Sequence, residues 1–307
     1  MPLLRSAFIA LSRNRSIRRF SEQSRVGTKL SSRFVAGLTI DDAMRVAQNV
    51  NRQGMHVTLD SLGESVNSPE QAHRAAGIYH QLLDQIAALQ LDSNISVKLT
   101  QMGLELDPAL AESIAADLGA HAAATGSFLR IDMEDSSLTQ VTLDIVRRLH
   151  ARPELHGHIG IVIQSYLYRS QADVEDLIAN GIRVRLCKGA YKEPATIAYP
   201  AKSDVDSNYL RLTSLLLASP LYHGLATHDE NMIAAAKKYA REHNIVPARF
   251  EFQMLYGVRR DLQRKLVAEG YNVRVYVPFG TEWYPYFMRR LAERPANAIF
   301  ILKNLFR

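Results

Sequence analysis

From about residue 54 the chain alternates short runs rich in β-branched and apolar residues with longer stretches of helical periodicity. Eight runs read as strands: His56 to Leu59, Ile95 to Thr100, Phe128 to Glu134, Ile159 to Tyr166, Arg183 to Leu186, Leu225 to His228, Phe250 to Leu255 and Val273 to Val277. Helix-start signals fall between them. Ser68-Pro69-Glu70-Gln71 offers a capping box with proline at the first helical position, Asp107-Pro108 repeats the cap-then-proline order, and Ser170 precedes a helix that ends at Gly181. This pattern predicts an α/β fold, a closed (β/α)8 TIM-like barrel. An open doubly wound sheet would carry a Gly-rich turn after its first strand, and Asp60-Ser61-Leu62-Gly63-Glu64 is not a GxGxxG. Residues 1–50 are then an N-terminal helical extension, its last helix opening at Thr39-Ile40-Asp41-Asp42, and residues 51–307 form the catalytic barrel. No second domain, internal repeat or low-complexity tract is visible.

Strand alternation divides each run into barrel-facing and helix-facing residues. If the apolar Val97 and Leu99 face the helices, Ser96, Lys98 and Thr100 point inward. The same parity directs Arg130, Asp132, Glu134, Gln164, Arg185, Cys187, Gln253 and Tyr276 into the barrel. Buried charges without partners cost several kcal/mol each, so these groups must pair, meet water at the mouth or contact a ligand. Taken singly, Lys98 or Gln164 reads equally well as a structural hydrogen-bond partner, and Tyr276 as core with its hydroxyl at the rim. Their convergence on the C-terminal mouth is where barrels of this kind place active sites.

Near the end of the chain, Tyr286, Arg289, Arg290 and Glu293 fall at i, i+3, i+4 and i+7, one face of an expected helix. Two guanidinium forks beside a phenol suit a small carboxylate, although a solvated helix with an internal ion pair has the same pattern.

Length and a hydrophobic content of 47% allow a large core. The lone Cys187 excludes an internal disulfide framework and a cysteine-based zinc site and fits a reducing compartment. No run is long enough to span a bilayer, and no His, Asp and Glu spacing indicates a metal. The formal charge of +6 is uneven: Arg5, Arg13, Arg15, Arg18, Arg19, Arg25 and Lys29 face only Glu22 in the first thirty residues. That segment reads as a lipid-surface helix, a targeting peptide, a nucleic-acid contact or a basic helix packed on the barrel.

A nucleophilic hydrolase lacks a GxSxG elbow, and Cys187 has no identifiable histidine partner. Asp132 and Glu134 could flank a glycosidic bond, but surrounding cations disfavour the protonated acid. Lys98, Arg185, Arg289 and Arg290 instead suit an anionic cofactor and a carboxylate substrate. The ordered motifs Ser96-Val97-Lys98-Leu99-Thr100, Arg130-Ile131-Asp132-Met133-Glu134-Asp135, Gln164-Ser165-Tyr166, Arg185-Leu186-Cys187-Lys188-Gly189-Ala190-Tyr191, Ala226-Thr227-His228, Phe250-Glu251-Phe252-Gln253 and Tyr276-Val277-Pro278-Phe279-Gly280, leading into Tyr286-Phe287-Met288-Arg289-Arg290-Leu291-Ala292-Glu293, resemble proline dehydrogenase. The similarity is greatest to the monofunctional bacterial enzymes and runs over roughly residues 30 to 300, with Cys187 where valine is common.

The resemblance implies a distorted (β/α)8 barrel that binds FAD, oxidises L-proline to Δ1-pyrroline-5-carboxylate and passes electrons to a membrane quinone. It implies that Lys98, Arg289 and Arg290 hold the substrate carboxylate, that Tyr276 and Tyr286 pack about the pyrrolidine ring, and that Glu293 orients an arginine. Arg185 would lie near the reactive flavin nitrogen, Gln164 near the ring's polar edge and Met133 against the ring system. Lys188, Gly189 and Ala190 would line the pyrophosphate region and Thr227 and His228 the adenosine half, with Tyr191 and Gln253 also in the cofactor-binding set. Asp132 would join Arg185 as a catalytic residue by pairing with an active-site cation. The implied setting is cytoplasmic, with peripheral contact to the inner membrane and no nucleic acid. Another flavin-dependent barrel oxidoreductase, or a non-catalytic membrane- or nucleic-acid-binding protein, remains open from the residues themselves.

Overall fold

The computed structural model describes residues 32–63, 65–284 and 286–288. Eight parallel strands close into one barrel in sequence order. They are β1 (His56–Ser61), β2 (Ser93–Lys98), β3 (Leu129–Asp132), β4 (Ile159–Gln164), β5 (Arg183–Cys187), β6 (His223–Ala226), β7 (Phe250–Leu255) and β8 (Asn272–Phe279). Each overlaps an expected run. At the C-terminal ends of β2, β3 and β6 the expected runs extend past the strand, so that Thr100, Glu134, Thr227 and His228 fall beyond the last paired residue. Alternation therefore does not govern where those four side chains point.

Local chemistry explains the helices between strands. Pro69–Ala88 is capped by Ser68, whose hydroxyl accepts from Gln71 N. The expected reciprocal bond is displaced by one residue, because Gln71 Oε1 accepts from Asn67 N at 2.8 Å. Asp107 caps Pro108–Ala124 through Ala109 N. Ser170 is the first residue of its helix rather than the cap, and its hydroxyl donates back to Leu167 O. Gly181, at φ 74, follows that helix in the left-handed region where glycine carries no Cβ penalty.

The helix Ile40–Asn51 opens with a complete capping box between Thr39 and Asp42. Its buried Ala43, Met44, Ala47 and Val50 join the main core, and it packs on β1 and β8. Part of the expected extension thus covers the seam where the barrel closes. The chain after β8 takes another place: Trp283, Tyr284, Tyr286, Phe287 and Met288 cluster with Phe34, Val35 and Leu62, at the end of β1. Gly257 makes this arrangement possible, since a Cβ there would lie 1.7 Å from Arg33 O.

Candidate active site at the barrel mouth

Strand register identifies the interior face, because paired residues of neighbouring parallel strands project to the same side. Thr58 pairs with Asn94 and Tyr276, Lys98 with Asp132, Gln164 with Cys187, and Gln253 with Arg274. The inward assignments of Ser96, Lys98, Arg130, Asp132, Arg185, Gln253 and Tyr276 agree with this register and with their contacts.

Asp132 is the centre of the arrangement. Its Oδ1 accepts from Ser96 Oγ at 2.6 Å and from Arg185 Nη1 at 2.9 Å, and its Oδ2 accepts from Tyr276 Oη at 2.8 Å. Lys98 Nζ lies 3.9 Å from the same Oδ2 and 3.4 Å from Asp60 Oδ1. Burial pushes the Lys98 ammonium down, but the charges of Asp60 and Asp132 outweigh it and hold its pKa above the usual lysine range. Burial, reinforced by Asp132 and Asp60, pushes the Tyr276 phenol well above its ordinary value, so it remains a donor. The Arg185 guanidinium lies 5.2 Å from the centroid of the Tyr276 ring. The site therefore holds cations beside a protonated phenol, with Arg185 and Tyr276 oriented by Asp132 and Lys98 held between Asp60 and Asp132.

Asp60, Thr58, Glu251 and Arg274 were not among the candidates drawn from the sequence. Thr58 Oγ1 accepts from Arg185 Nη2, while Asp60 pairs with Lys98 and accepts from Tyr79 Oη at 3.3 Å. The sequence carried their signal, since Glu251 shares parity with Gln253 and Arg274 with Tyr276. Asp60 lay one residue beyond the run recognised as β1.

Other candidates occupy different surroundings. Glu134 is bound to Thr100 through the backbone N–H and hydroxyl, outside the strands, rather than entering the Asp132 cluster. Burial raises its pKa despite those bonds. Arg130 points inward but donates to the carbonyls of Ile161 and Arg183 and packs 4.8 Å from the Phe128 ring centroid, away from Asp132. Burial pushes the Cys187 thiol up to about 12, which removes it as a nucleophile near neutral pH.

Met133 is buried against the core, and Gln164 is buried with its Oε1 lacking a hydrogen-bond partner. Lys188 Nζ lies 2.6 Å from Asp206 Oδ1 and 2.9 Å from Asp229 Oδ2. Gly189 has φ 112 and Ala190 and Tyr191 are exposed. Thr227 Oγ1 accepts from Asp229 N, and His228 Nε2 accepts from Leu255 N at 2.9 Å, which fixes that ring as a neutral Nδ1–H tautomer. Tyr286 is buried in the aromatic cluster after β8. Arg289, Arg290 and Glu293 lie outside the described residues. Among the described residues, no group of three or more His, Cys, Asp or Glu has a metal-binding arrangement.

The proline dehydrogenase family model matches residues 43–303. The chain belongs to the proline dehydrogenase family. It is 42% identical to proline dehydrogenase 1 of Bacillus subtilis strain 168 over 306 residues, covering 99% of this chain and 100% of that protein. It is 43% identical to the Deinococcus radiodurans proline dehydrogenase over 284 residues, covering 91% and 90% of the two chains. Among solved structures, proline utilization A from Bdellovibrio bacteriovorus, inactivated by N-propargylglycine, gives a TM-score of 0.84 at 25% identity. That similarity covers 98% of this chain and 37% of the longer one.

Proposed function

We propose that this family member oxidises L-proline to Δ1-pyrroline-5-carboxylate with FAD as its resident hydride acceptor, delivering the electrons to a membrane quinone. The observation that carries the reading is the Asp132-centred cluster joining Arg185, Lys98 and Tyr276 across the mouth. The residues present suit the cofactor: the orphaned Oε1 of Gln164 provides a buried acceptor for a ring N–H, and Arg185 supplies a fixed cation. Met133 would pack against the ring, Gln253 and Arg185 would orient its reactive region, and Lys188 with residues 189–191 would face the phosphates. Thr227 and His228 would border the adenosine portion.

Bound FAD supplies the redox chemistry. The protein's task is to position the substrate's ring carbon and stabilise charge as it develops. Lys98 would attract the substrate carboxylate, with Arg289 and Arg290 the further cations proposed for it and Glu293 the proposed partner of an arginine. Tyr276 and Tyr286 border the pyrrolidine ring. Asp132 keeps Arg185 and Tyr276 in fixed orientations.

Absorbance spectroscopy of the purified protein tests the cofactor, and anaerobic addition of L-proline tests the reaction. Flavin bands that bleach with proline are expected. A protein carrying flavin that remains oxidised with proline but is reduced by another small amine would instead be a different flavin-dependent oxidoreductase. Failure of the flavin-loaded protein to reduce a quinone analogue after proline addition would overturn the proposed electron acceptor.

A further inference from the structure

A hydrogen-bonded chain runs from Arg185 toward the N-terminal end of the strands. Glu251 is 3% exposed, and its Oε1 accepts from both Gln253 Nε2 at 2.5 Å and Arg274 Nε at 2.7 Å. Its Oε2 accepts from Tyr222 Oη at 3.1 Å. Gln253 in turn presents Oε1 to Arg185 Nε. Side-chain amides are ordinarily ambiguous in orientation, but this one has a donor-only guanidinium at one end and a carboxylate at the other. Only one orientation satisfies both. Gly224 gives the amide room, since a Cβ there would lie 2.2 Å from Gln253 Nε2.

We propose that Glu251 is a positioning residue for the reaction: it directs the Gln253 amide oxygen toward Arg185 and thereby sets the angle at which that guanidinium meets Asp132. Arg274, held also by a bond from Nη1 to Val57 O, anchors Glu251. A competing role, simple neutralisation of Arg274, has different consequences. Removing both charges together would satisfy a neutralising role and leave Arg185 unchanged. Under the positioning role, the same removal frees the amide to turn and loosens Arg185.

The effect on redox behaviour rests on the flavin reading above, whereas the effect on Arg185 does not. The test therefore has two arms. In flavin-free protein, the Arg185 Nε–H resonance, assigned by its loss in Arg185→Lys, is followed by NMR and solvent exchange. Glu251→Met combined with Arg274→Met should shift it and speed its exchange, while Glu251→Gln, which retains an acceptor, should preserve it. Glu251→Asp, which keeps the charge but withdraws the carboxylate, provides the same test if the double variant does not fold. In flavin-loaded protein, the double variant, or Glu251→Asp in its place, should lower the equilibrium constant for two-electron flavin reduction about tenfold, equivalent to about 30 mV. An unchanged Arg185 resonance in a folded double variant, or in Glu251→Asp when that variant is used, overturns the positioning role. An unchanged potential with the resonance shifted also overturns its relevance to the reaction. A parent protein that binds no flavin overturns the functional reading instead, and the NMR arm still decides whether Glu251 positions Arg185.

Discussion

Arg185 on β5 reaches past β4 to Asp132 on β3, placing Nη1 2.9 Å from Oδ1. The two residues do not pair in the sheet, so their contact depends on barrel closure and on an interior narrow enough for one side chain to cross. Their side chains are 6% and 14% exposed, respectively. At that burial, breaking one member of a pair strands the other.

Asp132→Ala should therefore destabilise the protein by about 3–5 kcal/mol, because Arg185 loses its carboxylate while Tyr276 loses its acceptor. Asp132→Asn should cost less, since an amide oxygen can still accept from one donor. Urea unfolding gives both values. Equal stability of Asp132→Ala and the parent would contradict the buried-pair account.

Gly224→Ala and Gly77→Ala should have opposite signs. A Cβ at Gly224 would meet Gln253 Nε2 at 2.2 Å, whereas a Cβ at Gly77 has no neighbour within 4 Å. Gln253 is fixed at both ends and cannot easily yield, so overpacking should cost about 1–3 kcal/mol. Gly77 lies inside the helix Pro69–Ala88, where alanine should add about 0.5–1 kcal/mol. Thermal or urea unfolding distinguishes the two directions.

The sequence revealed the barrel because eight β-branched runs separated by capping signals leave little alternative topology. It also pointed Lys98, Asp132, Arg185 and Tyr276 into the barrel, because strand alternation sets them opposite the apolar helix-facing residues. It did not reveal that the helix Ile40–Asn51 covers β1 and β8, since periodicity records which face is apolar and not what that face meets. Glu134 shows the limit of alternation: its carboxylate meets Thr100 after the strands have ended. Asp60 shows another limit, because the last residues of a short strand are poorly defined without their pairing partners, here Pro278 for Asp60.

Stability should fall as the solution is acidified below about pH 6.5 because of His223. Burial, with a smaller contribution from the Arg130 charge, lowers its pKa to about 3. Its Nδ1 accepts from Val184 N, while the neutral tautomer's Nε2–H donates to Ser219 Oγ. The unfolded chain protonates this residue near pH 6.5, so unfolding takes up a proton between that value and the folded pKa. The contribution is present above pH 6.5 and declines on acidification by up to about 1.4 kcal/mol per pH unit. His223→Asn can retain an acceptor for Val184 N without titrating. A folded variant with the same pH slope as the parent between pH 5 and 6.5 would remove His223 as the source.

Lys98 gives a test of substrate recognition that separates charge from general damage. Replacing it alone would leave Asp60 buried beside an apolar side chain, so the informative variant is Lys98→Met combined with Asp60→Asn, compared with Asp60→Asn alone. Proline presents a carboxylate, whereas pyrrolidine has the same five-membered ring without it. A charge-assisted hydrogen bond contributes about 1.5–3 kcal/mol, so the additional lysine substitution should weaken proline binding by roughly tenfold to a hundredfold. Pyrrolidine should bind the parent weakly and lose much less on the same substitution, because Lys98 has no carboxylate to hold. Titration of the bound chromophore with each ligand gives the two ratios, and its absorbance reports whether the site is still filled. Equal losses for both ligands at unchanged occupancy would mean that Lys98 only supports the architecture of Asp60 and Asp132, leaving carboxylate recognition to the arginines after β8.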